Sequence, residues 1–330
     1  MSRSGRDERD QAAEPPQLGG MPLSPGRSGG AASTDGNQEP SRNCPNQKPI
    51  SQPQARSIPF PEREQPAALS RSRDIVFVRN RRYRVSSAER ELMTQVGKFG
   101  TIAVQDLARQ YYPCAADKLR RDLLHLKSQK LVRQWRVMAG KGQEKLLVLV
   151  LTKEGRHLVQ QQCRTDGAQQ FYAGFVRPRE VAHDAAIYRM YQAEAAQIEK
   201  RGGTIKRVVL ECELMKNLYR SLAKARDLSA LEYTRRQAEV AADNRLKVVD
   251  GKIPRPDLRI EYETAEGKLA KVDLELATEH YRGGLAAGKL KAGFKVYADR
   301  ASALRLNASL TYGRGSSYEG PELITPILAL

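Results

Sequence analysis

Two short runs of alternating apolar and polar residues, separated by a turn, constrain the fold of this chain most strongly. They lie in the stretch RPDLRIEYETAEGKLAKVDLELATEHY, from Arg255 to Tyr281. A slip of one residue would move every side chain of a strand to the other face. The alternation therefore predicts a β-hairpin with its turn near Glu266 and its apolar side chains on one face. Those apolar residues are Leu258, Ile260, Tyr262, Val272, Leu274 and Leu276.

The opposite face of this hairpin carries acids. Asp257 and Glu261 lie in the first strand, and Asp273 and Glu275 in the second. With the turn near Glu266, Asp257 is expected across from Glu275 or Asp273, so that three carboxylates converge on one patch. Like charges directly across strands are destabilising unless a proton, a cation or water separates them. A hard cation such as Mg²⁺, the one cofactor that the sequence suggests, would resolve this repulsion.

The carboxylates have three interpretations at the level of sequence: a metal site, a site that has lost its metal, and a solvated face of a sheet. Under the first, Asp257, Asp273 and Glu275 are the candidate metal ligands and catalytic residues. No arrangement of Ser, His and Asp or of Cys and His indicates a nucleophile. The run GGLAAGK lacks the spacing of a phosphate-binding loop.

Positive charge is concentrated in one segment. Residues 74–165 hold nineteen Lys/Arg and eight Asp/Glu, a net +11, whereas residues 1–73 carry +2 and residues 166–330 carry +5. Such a field favours polyanions, with nucleic acid first and anionic membranes second. No apolar run is long enough to cross a bilayer, and the N-terminus lacks the apolar core of a signal peptide. We therefore expect no membrane partner.

The four cysteines are scattered, without a CxxC pair or a histidine at ligand spacing. This pattern fits a reducing cytoplasm better than a disulfide framework or a zinc site. Residues 1–73 are rich in Pro, Gly, Ser and Gln and are predicted to be a disordered tail, because they cannot bury enough apolar surface to offset ordering entropy. The chain is predicted to be α+β, with a DNA-binding domain at 80–165 and an α/β domain at 176–330.

The basic segment has the order helix, helix, helix, strand, strand, helix. Its pieces are SSAERELMTQVGKFG, TIAVQDLARQYY, AADKLRRDLLHLKSQKLV, two strands around Gly140-Lys141-Gly142, and TKEGRHLVQQQC. This order, and the phrase LRRDLLHLKSQKLVRQWRV, resemble a winged helix-turn-helix. The resemblance implies a third helix in the major groove and a wing along the phosphates. The expected DNA contacts are Lys118, Arg120, Arg121, Arg133, Arg136, Lys141 and Lys145.

Two further side chains of this segment have ordinary structural interpretations. His125 is interpreted as a surface histidine and Trp135 as a core residue. A winged helix that contacts only proteins is the alternative use of the same unit.

In the second domain, a helix, a strand, the acidic hairpin and a helix resemble the restriction-endonuclease-like core. That core has Pro-Asp followed by (Asp/Glu)-x-Lys on the next strand. Pro256-Asp257 and Asp273-Leu274-Glu275 match two of its three elements. Glu275 stands where the lysine belongs, and Lys289 or Lys291 on the next helix is a candidate substitute.

The same domain resembles the replication-relaxation family of plasmid and integrative-element proteins, through AHDAAIYRMY, PDLRIEY, DLELATEH and KAGFKVY. The resemblance covers most of residues 80–300, although this chain has Asp-x-Glu where the family usually has Glu-x-Asp. It implies a role in plasmid replication, mobilisation or relaxosome-like assembly, with relaxase or replication proteins as partners. The matching residues are His183, Asp257, Asp273, Glu275, Thr278, Glu279, Lys291, Phe294 and Tyr297.

The sequence therefore favours a DNA-binding protein of plasmid or mobile-element replication or mobilisation. It would bind double-stranded DNA through the winged helix and carry a nuclease-like domain without catalytic activity, because the lysine of the acidic strand is absent. A Mg²⁺-dependent nuclease or nicking enzyme using Asp257, Asp273 and Glu275 is the first alternative. A transcriptional regulator is the second.

Overall fold

The protein is mixed α+β. This computed structural model describes residues 72–138, 145–163, 169–174, 180–223, 225, 227–312 and 324–327, all within one compact unit, Glu62–Leu330. Nearly all of the predicted tail, residues 1–73, lies outside the described residues. The expected DNA contact Lys141 and the turn around it lie outside them as well.

The first half of the described chain combines short helices with a three-stranded antiparallel sheet of order β3-β5-β4. A separate hairpin of β1 and β2 precedes it. The helices predicted in this segment are confirmed. The elements are β1 (Asp74–Val78), β2 (Arg81–Val85), α1 (Ser87–Phe99), β3 (Ile102–Ala103), α2 (Val104–Tyr111), α3 (Ala116–Ser128), β4 (Val132–Met138), β5 (Lys145–Leu151) and α4 (Lys153–Gln162).

Local sequence explains where these helices begin and which face they bury. At the start of α1 the Ser86 hydroxyl accepts a hydrogen bond from the Glu89 amide, and the Glu89 carboxylate accepts one from the Ser86 amide. This capping box satisfies two amides that helix geometry leaves without partners. In α3 the helical spacing of three leucines predicts a stripe that faces the core, and it packs there. Its members Leu119, Leu123 and Leu126 are buried.

The hairpin of β1 and β2 was not among the predicted elements. Its two-residue turn consists of Arg79 and Asn80, both with positive φ (48° and 63°). Turns of this geometry usually have the sequence Asn-Gly or Asp-Gly. The Arg79-Asn80 turn lacks that sequence, so the hairpin is not recognisable from its turn residues.

The second half contains a five-stranded mixed sheet of order β10-β9-β8-β7-β6. Strands β6, β7 and β8 are antiparallel neighbours, whereas β8, β9 and β10 run parallel. The elements are α5 (Val181–Lys200), β6 (Thr204–Leu210), α6 (Glu211–Ala223), α7 (Ala230–Asp243), β7 (Leu258–Glu263), β8 (Leu269–Ala277), α8 (Gly283–Lys291), β9 (Lys295–Asp299), α9 (Arg300–Tyr312) and β10 (Thr325–Ile327).

The predicted hairpin is confirmed, and its register centres on Glu266, since Leu258 pairs with Leu274 and Tyr262 with Ala270. The stretch GGLAAGKLKAGFKVYADR predicts one helix despite its glycines, and this prediction is wrong in its second part. Helix α8 ends before Gly293, which has a φ of +87°, and the chain then continues as β9. The stretch PELITPILAL, whose sequence is compatible with a helix or a strand, contributes the short strand β10.

Helix α5 connects the two halves through one continuous hydrophobic core. The ring of Phe99 in α1 lies 5.0 Å from that of Tyr188 and 4.7 Å from that of Tyr191, measured between centroids. The Arg189 guanidinium donates to the buried Asp106 carboxylate of α2 at 2.9 Å. Helices α1 and α2 of the first half and strands β7 and β8 of the second are therefore joined to α5 in a shared core.

Candidate nucleic-acid interface and carboxylate site

The outer face of α3 is basic. Because the leucine stripe faces the core, the side chains between its members point outward, and Lys118, Arg120 and Arg121 are all exposed. Lys118 lies 5.9 Å from the centre of the Tyr112 ring, a cation–π distance.

The strands beside α3 carry further cations. Arg136 on β4 and Lys145 on β5 are exposed on the face of the sheet that Gln134 turns toward α3, whereas Arg133 is exposed on the opposite face. Within the part of the chain that the structure describes, none of the six exposed cations pairs with a carboxylate. The surface predicted for DNA contact is therefore accessible and keeps its charge. We call it the α3–wing surface: Lys118, Arg120, Arg121, Arg133, Arg136 and Lys145.

Two side chains near this surface differ from their predicted roles. His125 is half-buried, and its Nδ1 lies 2.7 Å from the Glu89 carboxylate, so it belongs to an internal polar network. Burial favours the neutral form of Glu89, but hydrogen bonds from Arg73 and the Ser86 amide outweigh it and hold the pKa of Glu89 below its ordinary value. Trp135 is 46% exposed rather than a core residue, because β4 is an edge strand of its sheet.

Asp257 and Glu275 lie together at the end of the β7–β8 pair. Asp257 Oδ2 accepts a hydrogen bond of 2.8 Å from the Leu276 amide. Glu275 Oε1 accepts one from the Tyr281 hydroxyl at 2.7 Å and contacts Lys289 Nζ at 2.7 Å. The strand register thus brings one carboxylate from each strand to a shared position, and α8 supplies a cation.

Both carboxyls hold protons more tightly than usual. Burial raises the pKa of Asp257 to about 6, against the opposing effects of the Leu276 amide hydrogen bond and the charge of Lys289. Burial, together with the charge of Asp257, raises the pKa of Glu275 to about 7. Two neighbouring acids with pKa values near neutrality are typical of functional sites, although buried structural networks also produce them.

Two buried polar atoms at this site lack a hydrogen-bond partner among the described residues: Glu275 Oε2 and His183 Nδ1. The other ring nitrogen of His183, Nε2, lies 3.6 Å from Asp257 Oδ2. His183 at the start of α5 therefore lies beside Asp257.

Asp273 does not join this pair. It lies opposite Arg259 in the register, and the Arg259 guanidinium donates to both of its oxygens, at 2.6 and 3.2 Å. Lys271 also contacts Asp273. The expectation that Asp257, Asp273 and Glu275 converge on one patch is therefore wrong, because cations on the same face neutralise Asp273.

This separation bears on the predicted metal site. Across the described residues, no group of three or more His, Cys, Asp or Glu side chains is arranged to hold a metal ion. The three-carboxylate ligand set does not form, and any cation at this site would depend on Asp257 and Glu275.

Of the two lysines proposed to replace the missing strand lysine, Lys289 reaches the carboxylates. Its Nζ also lies 2.5 Å from the Arg255 carbonyl oxygen, which orients the ammonium group toward the start of β7. Lys291 is exposed at the end of α8.

The sequence interpretation did not include Arg259, Lys271 or Tyr281. The signal for the first two was present, since a turn centred on Glu266 places Arg259 across from Asp273, and strand alternation places Lys271 on the same face as Asp273. Tyr281 lies beyond the strand, so strand alternation carries no information about it.

The chain matches no protein-family model, and neither curated proteins nor solved structures gave a match. Within its described segments, no helix combines the length and the apolar character needed to traverse a bilayer.

Proposed function

We propose that the chain is a DNA-binding protein of plasmid or mobile-element replication or mobilisation, in which residues 86–162 form a winged helix that binds duplex DNA. The α3–wing surface carries this proposal. Its six cations are exposed and are not paired with described carboxylates. An unpaired cationic surface gains free energy from phosphates because binding releases condensed counterions.

The order of the elements supports the same proposal. A helix followed by two antiparallel strands is the arrangement in which a recognition helix enters the major groove and a wing lies on the adjacent backbone. The net +11 of residues 74–165 adds a field that attracts DNA.

In this proposal the five-stranded sheet is a platform for partner proteins such as a relaxase or a replication protein. The motif resemblance to the replication-relaxation family supports that part. The ion pair with Arg259 favours a structural role for Asp273, which is one of the three acids that the nuclease interpretation requires.

Binding of a fluorescent duplex, measured by anisotropy over a series of salt concentrations, tests the DNA-binding proposal. The logarithm of the binding constant should fall steeply with the logarithm of salt concentration. Lys118→Ala with Arg121→Ala should weaken binding and reduce the slope by about 2, since each phosphate contact contributes about 0.9. The matched control is Arg235→Ala with Arg236→Ala on α7. Equal affinity for both double variants would overturn the proposal.

A second candidate function, Mg²⁺-dependent DNA cleavage, is favoured by one observation: Lys289 lies 2.7 Å from Glu275. This lysine supplies, from α8, the basic group that the (Asp/Glu)-x-Lys motif would otherwise place on the strand. Asp257 and Glu275 would hold the ion, whose chemistry would be to polarise a phosphate and to lower the pKa of bound water. Glu275 Oε2, without a described hydrogen-bond partner, is an oxygen of this pair available to a cation.

Calorimetry with MgCl₂ and cleavage of supercoiled plasmid test this second candidate. Heat of binding and nicking should both be lost in Glu275→Gln and retained in Glu279→Gln, which changes an exposed acid nearby. Absence of both signals in the unmodified protein, with DNA binding intact, would remove the nuclease candidate and leave the first proposal standing.

A further inference from the structure

The outer face of the β1–β2 hairpin combines arginine with exposed apolar side chains. Ile75 pairs with Arg84, and Phe77 pairs with Arg82, so these four side chains share one face. Phe77 is 63% exposed, and both arginines are exposed. An exposed aromatic ring beside exposed cations offers a stacking surface and positive charge at one place.

A groove of about 530 Å³ lies beside this face, between the hairpin turn and α4. The hairpin contributes Phe77, Arg79 and Asn80, and α4 contributes His157 and Gln160. The groove thus offers one aromatic ring together with amide and imidazole groups that can donate and accept hydrogen bonds.

The field at this groove is positive. Arg79, Arg82 and Arg84 form no ion pair with any acid in the described ranges, whereas Arg81 interacts electrostatically with Glu154 of α4. The pKa of His157 is lowered by partial burial and by the nearby charges of Arg79 and Arg156, and Glu154 opposes them. Asp74, the acid of β1, is bound to Arg90. The uncompensated charge on this side therefore comes from arginine.

The hairpin is held firmly enough to present this face. Its opposite side buries Val78, Tyr83 and Val85 in the main core. The Gln129 side chain, at the end of α3, accepts from the Arg84 amide and donates to the Arg84 carbonyl, both at 2.8 Å. These two bonds cover a backbone position of the β2 edge.

We propose that this face binds single-stranded nucleic acid, with a base stacked on Phe77 and phosphates bound by Arg79, Arg82 and Arg84. Stacking on an exposed aromatic ring needs a base that is not enclosed in a duplex, and a cationic groove with an aromatic platform is the usual way to bind unpaired strands. The amides of Asn80 and Gln160 lie where they can hydrogen-bond the edges of such a base. This site shares no residue with the α3–wing surface, so the duplex proposal and this one can fail independently.

Anisotropy titrations of the full chain with labelled oligo-dT, and with an abasic strand of the same length and charge, test the inference. The unmodified protein should bind oligo-dT more tightly than the abasic strand. Phe77→Ala should weaken oligo-dT binding at least about fivefold, the effect of losing one stacked base, and should leave abasic binding unchanged. Leu231→Ala, which removes another exposed apolar side chain on α7, is the control and should have no effect.

Arg82→Ala with Arg84→Ala should weaken the binding of both oligo-dT and the abasic strand and reduce the dependence of binding on salt. The control, Arg235→Ala with Arg236→Ala, should change neither. Oligo-U in place of oligo-dT tells whether the 2′-hydroxyl matters: equal binding assigns both nucleic acids to the site, and a preference assigns one. Three results would overturn the proposal: equal binding of oligo-dT and the abasic strand, equal competition by polyglutamate of the same charge, or a loss of duplex affinity in Phe77→Ala as large as the loss for oligo-dT.

Discussion

Lys289 of α8 and Glu275 of β8 form a largely buried ion pair, with 2.7 Å between Nζ and Oε1. Asp257 lies beside them, so the positive charge of Lys289 acts on two carboxyl groups. Burial raises the pKa of both acids, and the charge of this single cation does not offset that effect. The ionisation of this site is therefore coupled to the stability of the fold.

We expect the free energy of unfolding to fall as the pH rises from about 4 to about 7. In that range the folded protein keeps protons on Asp257 (pKa about 6) and Glu275 (pKa about 7), whereas the unfolded chain releases them near the ordinary values of 3.8 and 4.5. Stability decreases wherever the folded state binds more protons than the unfolded state. Urea unfolding at a series of pH values measures the slope.

The variant that isolates this effect is Glu275→Gln, whose side chain cannot ionise. Its free energy of unfolding should depend less on pH in the upper part of this range. Glu279→Gln, with an exposed side chain, should follow the unmodified protein throughout. Parallel curves for Glu275→Gln and the unmodified protein would contradict the prediction.

Lys289→Met should destabilise the protein more at about pH 8 than at about pH 5, because only ionised carboxylates need the cation. Loss of one partner of a buried pair costs about 3 kcal/mol, and the pKa of Glu275 should rise further. The same unfolding series measures both effects. Lys291→Met, on the exposed end of the same helix, is the matched control, and an equal loss in both variants would show that the Glu275 contact is not the cause.

Arg259 and Asp273, each with a side chain only 4% exposed, should show strong energetic coupling. Arg259→Met leaves Asp273 with Lys271 alone and should cost about 3 kcal/mol, and Asp273→Leu should cost a similar amount. The double variant should lose clearly less than the total of the two single losses, measured by urea unfolding. The exposed pair Arg236 and Glu239 should give a coupling below about 1 kcal/mol. Additive losses at the buried pair would contradict this account.

Gln129→Ala should loosen the β1–β2 hairpin without unfolding the core. It removes two hydrogen bonds to the Arg84 backbone, and exchange of the Arg84 amide should accelerate about tenfold, the effect of roughly one net hydrogen bond. Hydrogen exchange read by NMR or mass spectrometry measures the change. Ser128→Ala, one residue earlier, should leave this amide unaffected.

The predictable parts of the fold have signals close together in the sequence. The capping box of α1 needs only Ser86 and Glu89, and the register of β7 and β8 follows from alternation about Glu266. The β1–β2 hairpin was missed because its second strand is rich in arginine and its turn lacks glycine. Strand β9 was missed because KVYAD follows a helix without a strong break other than Gly293.

The candidate site was predicted only in part, for a related reason. Asp257 and Glu275 were identified from their positions in the strands. The ion pair of Asp273 with Arg259 depends on pairing between strands. Whether Lys289 or Lys291 contacts Glu275 depends on the rotation of α8 about its axis. Both are tertiary properties that a single strand or helix does not encode.

The packing of Phe99 against Tyr188 and Tyr191 has a practical consequence for dissecting this protein. Dividing the chain between residues 163 and 180 would expose these rings to solvent. Each fragment would then carry an exposed aromatic surface. Fragments prepared in this way should self-associate, and their affinities would then report aggregation rather than recognition. The intact polypeptide is the proper material for every binding assay.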